Sequence, residues 1–256
     1  MNNKKIVLLA GKGVSTNIIF NALDKDFGIH HVILEEKESQ KIFLKRRIKK
    51  LGLWTVFGQI LFLIFISKPL TVFSRKRIHI IAKENFLDSK EIPENRIKNV
   101  FSVNAAETIN LLKKINPDLI IVSGTRIISK KVIDAVGCRF INLHAGITPK
   151  YRGVHGTYWA LANKDSENSG VTVHFVDEGI DTGNIIYQSR VLVTNADNFT
   201  TYPLLQLSSG IKILKQTISD FQNDNVTVQT TSGESNLYYH PTVWRYLKHK
   251  FFDKVK

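Results

Sequence analysis

At 256 residues the chain is long enough to bury a full hydrophobic core without a metal or a disulfide to hold it. Its one cysteine, Cys138, excludes an intrachain disulfide and a multi-cysteine metal site, and with no leader pattern at the amino end it sets the expectation of a cytoplasmic protein. Lys and Arg number 36 against 22 Asp and Glu, and the resulting +14 favours a polyanion, a phosphorylated small molecule or an anionic membrane surface as partner.

In chain order, "KKIVLLAGKGVSTNIIFNAL" opens with a buried-strand run, Ile6 to Ala10, turns at Gly11 and Gly13, and enters a helix that Ser15 or Thr16 is placed to cap. Such a strand-turn-helix begins an open α/β sheet, whose ligands gather at the carboxyl ends of strands. Thr16 stands where a GxGxxG pattern has its third glycine, so a dinucleotide site is not expected. Gly11, Lys12 and Gly13 read either as a tight turn or as N–H groups and a cation that hold an anionic substrate group at the helix N-terminus.

A strand at "HHVILEE" (30–36) is followed by "KIFLKRRIKK" (41–50), whose six positive side chains suit a solvated helix face. The next stretch, "LGLWTVFGQILFLIFIS" (51–67), has no charged residue. As a helix its 17 residues span about 25 Å, short of the roughly 30 Å of hydrocarbon, so a spanning helix is its weakest reading. A helix buried in the core or in a homodimer contact is the strongest. Between them lies a peripheral membrane contact through 41–67, in which the basic run and Trp54 and Phe57 meet an anionic bilayer.

A strand is expected at "RIHIIA" (77–82), a helix through "AAETINLLKKI" (105–115), and strands at "PDLIIVSG" (117–124) and, after a short helix, "RFINL" (139–143). "GVTVHFVD" (170–177) and "NIIYQSRVLV" (184–193) look like a hairpin, and a helix across 200–222 closes the domain. The pattern gives an α/β fold, a Rossmann-like open sheet that is mostly parallel but mixed, with helices on both faces. Residues 1–222 form the main domain, with a basic and apolar helical insertion at about 40–75, and 223–256 an extension. Its "LYYHPTVWRYLKHKFF" (237–252) is rich enough in large rings to pack back on the domain or line a pocket.

Chemistry concentrates in "NLHAGITPKYRG" (142–153). On a strand ending at "INLH" the side chains of Asn142 and His144 share one face at the carboxyl edge of the sheet. An amide donates to a developing oxyanion and an imidazole orients a nucleophile, which suits direct attack by a substrate amine or hydroxyl on a carbonyl carbon. The proton left over calls for a carboxylate, and "VDEGIDTGNII" (176–186) offers Asp177, Glu178 and Asp181 in a glycine-bracketed loop.

Asn142-Leu-His144, then Pro149-Lys150-Tyr151-Arg152-Gly153 and, 37 residues after the histidine, Asp181 within Asp177-x-Gly-x-Asp181-x-Gly183 together resemble the formyltransferase family that uses N10-formyltetrahydrofolate. The likeness is clear from about 118 to 190. It implies that an amine attacks the formyl carbon, that Asn142 donates to the oxyanion, that His144 steadies the charge, and that Asp181 orients the histidine and assists proton transfer. It requires no metal and no covalent intermediate. It also implies a pterin slot at Arg126, Ile127 and Ile128, with Asp177 and Gly179 opposite. Thr148 departs from the leucine that many members carry.

Three acceptors come with the resemblance. Methionyl-tRNA fits the charge, but the residues after the catalytic domain are too few for that enzyme's additional β-barrel, so nucleic acid is not the expected partner. Glycinamide ribonucleotide fits a smaller chain without the insertion. The sugar N-formyltransferases, acting on amino sugars, often nucleotide-linked, for surface polysaccharide, match "YRGVHGTYWAL" and "YYHPT" best. Gly11, Lys12, Gly13, Lys150, Tyr151 and Arg152 are then the expected substrate contacts. A hydrolase of the folate, or a non-catalytic membrane-associated binding module, are the readings from other classes.

Overall fold

Ile6, Leu8 and Ala10 point to one face of the first strand and Val7 and Leu9 to the other, and all five are fully buried, so this strand lies at the centre of a sheet covered on both sides. The computed structural model describes residues 4–230 and 232–256. Its elements are β1 (Ile6–Gly11), α1 (Val14–Phe27), β2 (Ile29–Glu35), α2 (Gln40–Leu51), α3 (Leu53–Phe62), a π-helical turn at Leu63–Ser67, α4 (Lys68–Phe73), α5 (Arg75–Glu84), β3 (Ile97–Val100), α6 (Ala106–Ile115), β4 (Leu119–Ser123), α7 (Lys130–Val136) and β5 (Arg139–His144). After these come β6 (Arg152–Gly153), α8 (Gly156–Ala162), β7 (Gly170–Phe175), β8 (Ile185–Arg190), α9 (Tyr202–Gln222), β9 (Leu237–Tyr238) and α10 (Val243–Phe252).

Seven strands form one sheet in the order β3-β2-β1-β4-β5-β7-β8. The first five run parallel, and β7 and β8 are antiparallel to their neighbours. Residues of α1 and α9, Ile19, Leu23, Leu214 and Ile218, cover one face, and Ile109, Leu112 and Val132 of α6 and α7 cover the other. This is the mixed, mostly parallel α/β sheet expected.

One expected strand is a helix. Residues 77–82 lie in α5, and the strand beside β2 is Ile97–Val100. The burial explains it: Arg77 and Ile81 turn inward while His79, which a strand would put on the same side, is exposed. Arg77 donates from Nε (2.8 Å) and Nη2 (3.1 Å) to Asp197, whose side chain has no exposed surface.

The apolar stretch is not a helix buried in the core of one chain. The helical run continues through the π turn to Phe73, 21 residues from Leu53, about 31 Å, which matches the roughly 30 Å of hydrocarbon that 51–67 alone falls short of. Packing decides instead. Val56, Gly58, Gln59 and Phe62 are buried, whereas Leu53, Trp54, Phe57, Leu63, Ile64 and Phe65 are exposed. One face belongs to the protein and the other is uncovered.

The carboxyl-terminal segment returns to the domain through the parallel pairing of β9 with β6, and Trp159 Nε1 donates to the Tyr239 carbonyl at 3.0 Å. Phe62, Tyr151, Tyr158, Trp159, Phe199, Tyr202 and Tyr246 make an aromatic core there. At its edge His155 Nε2 and His240 Nδ1 stand 2.9 Å apart. Burial, then mutual repulsion and Arg47, lower His155 to about 3, and burial followed by Arg47 lowers His240 to about 4. Both are neutral when folded and titrate at 6.5 when unfolded. The unfolded chain therefore binds more protons below pH 6.5, and the stabilising contribution present above that pH is lost as pH falls. Between pH 7 and 5 the pair is expected to cost about 4 kcal/mol of stability, about 2 from each ring, with the carboxylates held below 3.8 contributing only at lower pH. Tm measured against pH should slope down over that range and lose about half of that slope in His155→Asn, since His240 stays buried and Asn accepts the positive φ of 61° at this position.

Candidate active site

The site sits at the carboxyl ends of β4 and β5, where the parallel part of the sheet meets the antiparallel strand β7. Asn142 and His144, two residues apart on β5, share a face, and the register sets Asn142 opposite His174 and His144 opposite Thr172. Asp181 arrives from the loop between β7 and β8 with φ of 53°, a left-handed conformation that Asp tolerates better than most residues.

Asp181 gathers the group. Its Oδ1 accepts from the Asn142 amide nitrogen (3.2 Å), its Oδ2 accepts from the Gly153 N–H (2.9 Å), and Oδ2 lies 3.2 Å from His144 Nδ1. Gly153 is required for this approach: its φ is 93°, and a Cβ there would strike the Tyr238 carbonyl. Burial pushes the Asp181 carboxyl up, but the neighbouring His174 and His144 imidazoles and the Gly153 N–H outweigh it and hold the group below the ordinary carboxylate range.

His144 is buried, and Nε2 donates to the Tyr151 carbonyl at 2.8 Å. Burial pushes the imidazole below its ordinary value, against the upward pull of Asp181 and that carbonyl. A neutral ring with acceptors at both nitrogens is placed to receive a proton and hold it. His174 Nδ1 faces the Phe175 carbonyl at 2.7 Å, which fixes the proton there and leaves Nε2 to accept from the Asn142 amide at 3.1 Å. His174 thus orients Asn142 from behind.

These groups border a cavity of about 420 Å³, within the range of a small-molecule site. Arg126, Ile127, Ile128, Asp177 and Gly179 line it, as do Asn142, His144, His174 and Asp181. The Arg126 guanidinium is engaged elsewhere, donating to Glu35 Oε1 (3.0 Å) and to the Phe101 (3.0 Å) and Glu36 (2.9 Å) carbonyls, while its N–H donates to Glu35 Oε2 (2.8 Å). It pins the 124–128 loop rather than offering a cation. Opposite, Asp177 Oδ1 accepts from the Gly179 N–H (3.1 Å) and Thr182 hydroxyl (2.7 Å), which folds the acidic loop on itself.

The residues expected to touch the substrate are placed differently. Gly11, Lys12 and Gly13 do not line the cavity; Gly11 lets the ends of β1 and β4 meet, since a Cβ there would strike the Gly124 carbonyl. Tyr151 is buried with its hydroxyl donating to Asp165 (2.8 Å), and Lys150 Nζ binds the same carboxylate at 2.7 Å. Arg152 Nη1 donates to the Ile180 carbonyl at 3.0 Å and steadies the loop that carries Asp181. Residue type alone could not foretell that Asp165 collects the first two. His174 was not singled out from the sequence, although a lone His in the alternating "VTVHFV" was a signal. Leu237, Tyr238 and Tyr239 also line the cavity, from the extension expected to line a pocket.

A family model described as formyl transferase matches residues 39–217. The methionyl-tRNA formyltransferase of Clostridium tetani is 30% identical over 198 residues, 76% of this chain and 60% of that protein. The chain spans about half the length of the curated relatives it matches. A 4-N formyltransferase from Francisella tularensis shares the fold with a TM-score of 0.59 and 18% identity, over 93% of this chain and 77% of that one. An N-formyltransferase from Helicobacter canadensis, solved in complex with folinic acid and dTDP-3-aminofucose, does so with a TM-score of 0.56 and 20% identity, over 91% and 70%. With the family model spanning more than half of its length, and with the sheet just described, the chain belongs to the formyl transferase family.

Proposed function

We propose that the chain transfers a formyl group from N10-formyltetrahydrofolate to the amino group of a nucleotide-linked amino sugar. The observation that carries this reading is the convergence of Asn142, His144 and Asp181 on one wall of the cavity. The folate fits the cavity's other side: Val122, Ile127, Ile128, Val176 and Ile180 supply an apolar slot, with loop backbone at Gly124–Ile128 and Gly179 available to a flat, hydrogen-bonding ring.

The bound folate supplies a formyl carbon open to attack by an amine. Asn142 releases one amide proton from Asp181 or His174 toward the carbonyl oxygen as negative charge grows there. His144, neutral because it is buried, accepts the proton the amine must lose, Asp181 stabilises the resulting imidazolium across 3.2 Å, and that proton then goes to N10 of the folate as the bond between N10 and the formyl carbon breaks and tetrahydrofolate leaves. Formyl transfer, expressed per unprotonated acceptor amine, should therefore keep its rate below the ordinary imidazole value of 6.5 and fall only at lower pH. A kcat/KM profile corrected in this way for the amine, with its acid limb still above 6.5, would exclude His144 in this role.

For the acceptor, Tyr238 and Tyr239 at the rim suit stacking on a sugar or base, and the Helicobacter canadensis enzyme with its nucleotide sugar supports that class. Methionyl-tRNA is the second reading, favoured by the Clostridium tetani relative and by the +14 charge. Incubation with N10-formyltetrahydrofolate and, separately, nucleotide-linked amino sugars, glycinamide ribonucleotide and methionyl-tRNA tests them. Tetrahydrofolate release that depends on an amino sugar supports the reading; release driven only by methionyl-tRNA selects the second; release without any amine identifies a hydrolase.

A further inference from the structure

We propose that residues 41–83 form an interfacial element that docks the protein on an anionic lipid bilayer, with the outer face of α3 and α4 in the headgroup and acyl boundary. This segment carries eleven Lys and Arg and no Asp or Glu, so it accounts for +11 of the chain's +14 and leaves +3 for the other 213 residues. Charge and apolar surface coincide here. Trp54 is 77% exposed, Phe65 65% and Phe73 85%, with Leu53, Phe57, Ile60 and Ile64 on the same uncovered side. Such a patch has no reason to face water.

The inner face sets how the element can meet lipid. Phe62 packs on Phe199 and Tyr246 with ring centres 4.8 and 5.1 Å away, and Trp244 closes on Gly58. Gln59 donates to the His240 carbonyl at 2.7 Å and accepts from Arg47 Nε at 2.9 Å. A helix held this way along one side cannot be surrounded by hydrocarbon, so despite its 21 residues it lies in the plane of the surface.

The charges select the occupant. Lys41, Lys45, Lys49 and Lys50 on α2, Lys68 on α4, and Arg75 and Lys76 on α5 flank the apolar face, and among the described residues none of them has an acidic partner. A second copy docking through the same face would oppose two such fields. Anionic headgroups around the rim and acyl chains against Trp54 and Phe65 satisfy both parts at once.

The test is sedimentation of the full chain with phosphatidylcholine vesicles and with vesicles containing phosphatidylglycerol, together with the tryptophan emission of the wild type less that of Trp54→Phe, which isolates Trp54 from Trp159 and Trp244. Binding is expected to the anionic vesicles, about tenfold or more tighter than to the neutral ones, weakened by salt and accompanied by a blue shift. The triple variant Trp54→Ser, Phe65→Ser, Phe73→Ser should lose binding while keeping its circular dichroism and Tm. The pair Lys45→Glu, Lys49→Glu, on an exposed helix face, should lower anionic binding about tenfold and provides an independent check on folding. Wild-type protein that stays in the supernatant with both vesicles overturns the proposal. So does a vesicle-indifferent dimer that the triple variant dissociates.

Discussion

Asn142→Ala is expected to lower kcat for formyl transfer by about 10² to 10³-fold, or about 2.7 to 4 kcal/mol, while Tm moves little. The amide is the one side-chain donor of the cluster with two N–H groups, and in the structure both face partners, Asp181 and His174, that hold the amide plane still. Losing it removes a donor aimed at developing charge and leaves His174 Nε2 without its bond, a loss of about 1 kcal/mol of folding stability. His144→Ala should be at least as severe, because no other described imidazole both borders the cavity and lies within 3.2 Å of a carboxylate. A rate within threefold of wild type in either variant, with the fold intact, would remove the residue from the mechanism.

Arg77→Met is expected to destabilise the protein by about 3 to 5 kcal/mol, because it leaves the Asp197 carboxylate buried without its cation. Burial pushes Asp197 up, but Arg77 and the Thr194 hydroxyl and N–H outweigh it and hold it ionised. At roughly 2 to 4 °C per kcal/mol for a domain of this size, Tm should fall by about 6 to 20 °C. The double variant Arg77→Met, Asp197→Leu should recover part of that, since an apolar pair does not carry the desolvation cost of a lone charge. A Tm loss of about 2 °C or less in the single variant would mean that water reaches Asp197. The contact also ties α5 to the loop ahead of α9, so its loss should loosen the whole 41–83 excursion.

The sheet was legible because buried strands write themselves as continuous apolar runs. "IVLLA", "LIIVS" and "FINL" each fell within a residue or two of the observed strand. Residues 77–82 were misread since "RIHIIA" alternates well enough for a strand, and only the distant Asp197 reveals that Arg77 and Ile81 belong to one helix face. In the cluster, the spacing of Asn142 and His144 on one strand put them on a shared face from sequence alone. What sequence could not supply was register: His174 is 32 residues from Asn142 and becomes its neighbour only when β7 pairs antiparallel with β5. Lys150 and Tyr151 were drawn away from the cavity by Asp165, a contact that residue type did not announce. The uncovered face of α3 was one of three readings and not the strongest, since an apolar run reads as buried whether or not protein covers it.

The most direct measurement follows an isotope-labelled formyl carbon from N10-formyltetrahydrofolate, with the wild type and the Asn142→Ala, His144→Ala and Asp181→Ala variants, in the presence of nucleotide-linked amino sugars. The account predicts label in an N-formyl product and one tetrahydrofolate per label with the wild type, and neither with the variants. Label released as formate at the same rate with and without amine, or transferred equally by the variants, would contradict it.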